Sequence, residues 1–138
     1  MTVLVTDAGF GPDDLPPDWP EAPGPGVTRL HLAPGADPQA LAPHLPGLEC
    51  IRIAFPTFSD GRGFTLAAQL RRMGFAGRLR AQGHVLADQY AMARRAGFDE
   101  VAIPEALAAR QPQDQWLARA DWQAHDYRAR VGQRAGAT

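Results

Sequence analysis

The chain contains no lysine at all: every one of its 14 basic residues is an arginine. Schiff-base chemistry is thereby excluded, and so is the lysine of a phosphate-binding P-loop. Ser59 is the sole serine and Cys50 the sole cysteine. One cysteine cannot make an intrachain disulfide, a dithiol redox pair or a structural zinc knuckle. Ser59 stands in Phe58-Ser59-Asp60, outside a Gly-x-Ser-x-Gly elbow, which argues against a serine hydrolase. No apolar run reaches the roughly 20 residues of a membrane span. The opening Met1-Thr2-Val3 lacks the basic-then-apolar order of a signal peptide, so a cytoplasmic location is expected, without a membrane partner.

What is present fits a globular chain of 138 residues, 45% hydrophobic and 21% charged, with a formal net charge of −1. Charge and proline are unevenly spread. Residues 1–50 carry seven acids against Arg29 alone, whereas residues 51–138 carry 13 arginines against eight acids. Eleven of the 13 prolines lie at or before Pro56. We read this as one domain, residues 1–138. A loop-rich acidic segment (1–48) caps an α/β core (49–123), and a frayed tail (124–138) follows. The arginines are interleaved with acids, which is too dilute a pattern for a nucleic-acid footprint.

Hydrophobic periodicity predicts alternating elements. Thr2–Thr6, Val27–Leu32, Glu49–Phe55, Arg78–Gln82 and Glu100–Ile103 read as strands. Phe10–Gly26 is too rich in proline to hold a strand or helix for long. Asp37 starts a short helix with Pro38 in its first position. Gly63–Met73 and Val85–Ala96 read as amphipathic helices, Arg94 and Arg95 of the second being turned outward. Pro104–Gln123 reads as a helix interrupted near Pro112. Strand–helix alternation at about 25-residue spacing predicts an α/β fold with right-handed βαβ crossovers and a mainly parallel sheet of about five strands. Ligands of such sheets sit beyond the carboxyl ends of the strands, here Pro56–Gly63, Gln82–His84 and Pro104–Glu105.

The segment 55–99 carries the strongest pattern: Phe55-Pro56, Phe58, Asp60-Gly61-Arg62, then Gly77, Leu79-Arg80-Ala81, Gly83, Val85-Leu86, Asp88-Gln89, and finally Arg95, Gly97-Phe98-Asp99. This resembles a bacterial domain-of-unknown-function family (family 934), described as an oxidoreductase involved in sulfite reduction. The resemblance implies a place in assimilatory sulfate or sulfite reduction, with the sulfite reductase as a partner. The family often has a cysteine where Ala96 stands, so a thiol mechanism at that position cannot operate in this chain. Where His84 stands the family usually has an acid.

The candidate site residues follow from the rim loops. In Ser59-Asp60-Gly61-Arg62-Gly63, two glycines open the backbone to a ligand. Arg62 has the bidentate fork for sulfite, sulfate or phosphate, beside a helix N-terminus. Alternatively Asp60 caps that helix itself, filling the place of an external anion. Gly61-x-Gly63 lacks the third glycine of a dinucleotide fingerprint, Leu66 standing there. Arg80, on a strand, requires a carboxylate, with Asp60, Asp88 or Asp99 as candidates. Otherwise Arg80 and Arg62 converge on one anion beside Gln82, His84 and Gln89. His84 and Asp88 are the candidates for acid–base work. Cys50 reads as a buried hydrophobe, and Trp116, Trp122 and Tyr127 as packing on the last helix.

Sulfite reduction needs a flavin, siroheme or iron–sulfur centre, and this composition offers no ligand set or nucleotide fingerprint to hold one, so no cofactor is named. Three functions therefore stand. The first is an accessory of sulfite reduction that binds a small oxyanion or the reductase. The second is a small oxidoreductase acting on an anionic sulfur substrate. The third is a non-catalytic scaffold that uses Arg71, Arg72, Arg94 and Arg95.

Overall fold

The computed structural model describes residues 2–122. Six strands form one sheet in the order β2-β1-β6-β5-β4-β3. They are β1 (Thr2–Thr6), β2 (Gly9–Pro12), β3 (Arg29–Leu32), β4 (Cys50–Phe55), β5 (Arg78–Gly83) and β6 (Glu100–Pro104). Strands β3 to β6 are mutually parallel, while β1 runs antiparallel to both β6 and β2. The α/β class and the mainly parallel sheet are as the periodicity predicts, with one strand more than expected. The additional strand is β2, a Gly-Phe-Gly-Pro edge of poor strand propensity. Its pairing with β1 and the edge-to-face packing of Phe10 on Trp116, centroids 6.5 Å apart, hold it in place. Proline is tolerated at such an edge because no further strand needs its missing N–H.

The helices are α1 (Pro38–Leu41, continued by a 3-10 turn over Ala42–Gly47), α2 (Arg62–Arg72), α3 (Tyr90–Ala96), α4 (Glu105–Arg110) and α5 (Gln113–Leu117). Asp37 caps α1 as expected, accepting from the Gln39 N–H at 3.0 Å. The second amphipathic helix is shorter than predicted. Its first turn, Ala87–Gln89, is 3-10, with the Gln89 N–H bonded to Leu86 O at 2.9 Å, and side chains hold the N–H groups that precede it. Gln89 Oε1 accepts from Leu86, and Gln111 Oε1 accepts from Ala87. Gly97, at φ 113°, ends α3 in the left-handed conformation glycine allows.

Sequential strands β3, β4, β5 and β6 advance across the sheet in one direction. With right-handed crossovers, all the connecting helices then fall on one face. The core lies there: Leu30, Ile51, Ile53, Phe55, Leu79, Ala81, Val101 and Ile103 meet Leu66, Leu70, Tyr90, Ala93 and Trp116. Phe55 also packs against Phe64 in a tilted arrangement and against Phe98 edge to face, centroids 4.9 and 5.8 Å away. Alternate residues of the same strands point to the opposite face, and there polar side chains predominate: His31, Arg52, Arg78, Arg80, Gln82 and Glu100, beside Cys50, Ala54 and Ala102. Among the described residues no helix covers this second face. A strap from Asp13 to Trp19 crosses it instead, its ligands described below. Among the described residues no helix is long and apolar enough to cross a membrane.

Glycine at 63 is a packing requirement of α2 on β4: a Cβ there would lie 2.5 Å from the Phe55 ring, whereas one at Gly61 would meet nothing within 4 Å. Gly63→Ala is therefore expected to cost about 1–3 kcal/mol of unfolding free energy in urea titrations. Gly61→Ala should stay within about 0.5 kcal/mol of the wild type.

Candidate functional site

The parallel register fixes where the predicted site residues fall. Phe55 pairs with Gly83, so the turn after β4 and the turn after β5 lie at the same rim of the sheet. His84 N–H donates to Phe55 O at 2.9 Å, and Gln89 Nε2 donates to Phe58 O at 2.8 Å, tying one turn to the other. The strand order of this parallel part never reverses, however. It therefore has no topological switch point to open the crevice in which α/β sheets hold ligands.

The rim residues are committed to one another. Arg62 grips Asp60 bidentately, Nε to Oδ1 at 3.0 Å and Nη2 to Oδ2 at 2.8 Å. The backbone N–H of Arg62 adds a 3.2 Å bond to the same carboxylate. These bonds, that of the Arg62 side chain first, hold the Asp60 carboxyl below the usual carboxylate range. Asp60 thus occupies the Arg62 fork, but it is not the helix cap it was expected to be: Gly61 holds that position without a side-chain cap bond, and the Arg62 side chain remains 65% exposed. Gln89 is occupied at both ends, accepting from Leu86 N–H and donating to Phe58 O. His84 and Asp88 are exposed. Neither has a side-chain hydrogen bond among the described residues. Asp88 borders a groove of about 450 Å³ with Met92, Arg95, Arg119 and Trp122. Gln82 points to the sheet's second face and lines a recess of about 230 Å³ with Thr2, Ala102 and Pro104. Its Oε1 is buried there without a partner among the described residues.

Arg80 corrects the prediction most sharply. It lies on the second face, away from the Arg62 turn, and is 0% exposed. None of Asp60, Asp88 or Asp99 is its partner. Arg80 Nη1 donates to Asp13 Oδ1 at 2.7 Å, Nη2 to Asp14 Oδ1 at 2.9 Å, and Nε to Glu100 Oε2 at 2.8 Å. Arg62 and Arg80 therefore do not converge on one anion. The reason is the pleat: Arg80 alternates with Leu79 and Ala81, whose burial under α2 and α3 turns it outward from the core.

Around Arg80 the sheet register lines up His31, Arg52, Arg80 and Glu100 across β3, β4, β5 and β6. Arg52 is buried, 8% exposed. Its Nε donates to His31 Nδ1 at 2.8 Å and its Nη1 to Pro17 O at 3.2 Å. The Trp19 ring lies over it, 4.7 Å from the guanidinium carbon. Burial, then the neighbouring Arg52 charge, keeps the His31 imidazole below its ordinary pKa. It is accordingly neutral and able to accept at Nδ1. Arg78 pairs with Glu100 and, through Nη2 at 2.9 Å, with Asp14. Cys50, beside this cluster, is buried, and burial pushes its thiol up to about 11. That is the inert hydrophobe expected of it.

Arg71 and Arg94, expected to form an outward basic face, fold inward. Arg71 donates to the carbonyls of Phe75, Gly77 and Gly97, closing the ends of α2 and α3. Arg94 binds Asp7, which also accepts from Tyr90. Trp116 is in the core as predicted, while Tyr127 and the expected tail 124–138 lie outside the described residues. Sequence reasoning missed Asp13, Asp14, Trp19, Arg52 and Glu100. The alternation in Cys50–Phe55 and Arg78–Gly83 was the available signal.

The fold is a two-layer α/β sheet carrying an ion-paired polar face. The chain belongs to the family of bacterial proteins of unknown function (DUF934), whose profile matches residues 29–137. No curated protein matches it.

Asp14 connects this cluster to pH. Hydrogen bonds from Arg78 and then Arg80 outweigh its partial burial and hold its carboxyl at about 2, from a usual 3.8. A depressed carboxylate pKa stabilises the fold above the unfolded value, and that share disappears as pH falls through the folded one. Urea midpoints should therefore fall between about pH 4 and pH 2. Asp14→Asn should remove part of that slope, worth about 1 kcal/mol after solvent screening.

Proposed function

We propose that this protein is a non-catalytic accessory of assimilatory sulfite reduction that works by binding another protein, with the sulfite reductase as that partner. Pathway and partner come from the family likeness carried by residues 55–99. Protein binding, in preference to chemistry, is supported by one observation. The groups expected to grip a ligand at the rim instead fix a turn that displays an aromatic ring. Asp60 and Arg62 lock the turn, and Gln89 holds the Phe58 carbonyl. Phe58 itself is left 58% exposed. A large apolar side chain held in place before contact loses little entropy on docking, which is how interface hot spots work. Met92, one helical turn beyond Gln89, is 52% exposed and borders the groove that Asp88 shares. The rival reading, a small oxidoreductase on an anionic sulfur substrate, finds less support. His84 is exposed, and among the described residues no second side chain hydrogen-bonds to it.

Two measurements test the proposal. The purified protein should co-elute with the sulfite reductase, and Phe58→Asp should weaken that complex at least about tenfold, roughly 1.4 kcal/mol, while leaving the melting temperature within about 2 °C. Deleting the gene should slow growth on sulfate and be rescued by cysteine. Unaltered binding by the Phe58 variant, or normal growth on sulfate, would each overturn the reading.

A further inference from the structure

We propose that the arginine-bearing face of the sheet is a binding site for a small oxyanion of the sulfate or phosphate type, which the strap's two carboxylates occupy as tethered competitors. This goes beyond the docking reading and does not rest on it.

Cross-strand register places Arg52 directly opposite Arg80. Like charges so placed repel, and both are buried, so the pair requires an anion between or beside them. Asp13 and Asp14 supply it. Their carboxylates approach the two terminal nitrogens of one guanidinium at 2.7 and 2.9 Å, and Arg78 Nη2 reaches Asp14 as well. Convergent N–H donors from Arg78 and Arg80 are what an oxyanion takes. Arg52 completes the cradle without a carboxylate of its own among the described residues. Its partners are a neutral imidazole, a carbonyl and an indole face. With the strap lifted, three arginines would face a single acid, Glu100.

The strap is lightly attached. Among the described residues, one backbone–backbone hydrogen bond joins 13–27 to the rest, from His31 N–H to Pro20 O at 2.8 Å. Prolines at 16, 17, 20, 23 and 25 deprive it of donors with which to stitch itself to the sheet. Trp19 is its buried apolar anchor, while Asp14, Pro16, Pro17 and Asp18 are exposed. The strap also precedes residues 29–137 matched by the family profile, whereas His31, Arg52, Arg78, Arg80 and Glu100 fall within them. A tethered carboxylate competes at an effective concentration in the millimolar range, so free anion is held off in the wild type.

The test is a sulfate titration by isothermal calorimetry, repeated with inorganic phosphate, against chloride at equal ionic strength. Asp13→Ala/Asp14→Ala should bind sulfate saturably and at least about tenfold more tightly than the wild type, with a melting-temperature rise of several degrees. Arg52→Gln in that background should weaken binding at least about tenfold. Trp19→Ala, which keeps both carboxylates but loosens the strap, should fall between the wild type and the double variant. If the double variant does not fold in chloride, recovery of its circular dichroism by sulfate supports the site, and failure to recover overturns it. A response equal in wild type and double variant, matched by chloride, or indifferent to Arg52→Gln or Trp19→Ala overturns the proposal.

Discussion

Arg80 is a cation without contact to solvent, and the second face of the sheet is arranged around keeping it paired. A guanidinium in that position would cost several kcal/mol if left alone, so its neighbours are constrained. Glu100 stands opposite it on β6, and Asp13 and Asp14 arrive from a segment more than 60 residues away in sequence. That pairing is what makes a proline-rich, otherwise unstructured stretch lie in one place. It turns the acidity of the first third of the chain into a complement for the arginines of the rest.

The consequence for function is a division of labour between the two faces and the rim. One face is an apolar core under helices, closed by Phe55, Phe98 and Trp116. The other is a charged surface whose counter-ions are borrowed from the strap. The rim, where parallel sheets hold ligands, contains a turn whose donors and acceptors satisfy each other. A singly wound parallel segment with every helix on one side builds no crevice there. Among the described residues, the chemistry-bearing side chains are consequently concentrated on the sheet surface that the helices leave free.

Much of the fold was legible because it depends on local pattern. Thr2–Thr6 is a strand at the predicted bounds, Asp37 caps α1, and Gly74 and Gly97 follow α2 and α3. Arg62, by contrast, carried two readings that no local rule could separate. Asp60 two residues away is equally consistent with a cap and with a competitor for a ligand, and only the bidentate geometry shows that it takes the guanidinium. A strand arginine such as Arg80 needs a carboxylate, but local pattern does not say which one. None of Asp60, Asp88 and Asp99 meets it, because the pleat turns Arg80 to the face that the strap crosses.

By itself, then, the amino-acid order determined most of the secondary elements (β2 excepted), the α/β class, the inert Cys50 and the family, since each is encoded in spacing within a few tens of residues. Tertiary structure alone decided which acid meets which arginine, and that the acidic strap lies on the sheet instead of at its rim. Ion pairs are chosen by three-dimensional distance and by burial. Neither quantity exists until strand residues 20 to 102 positions apart have been placed side by side.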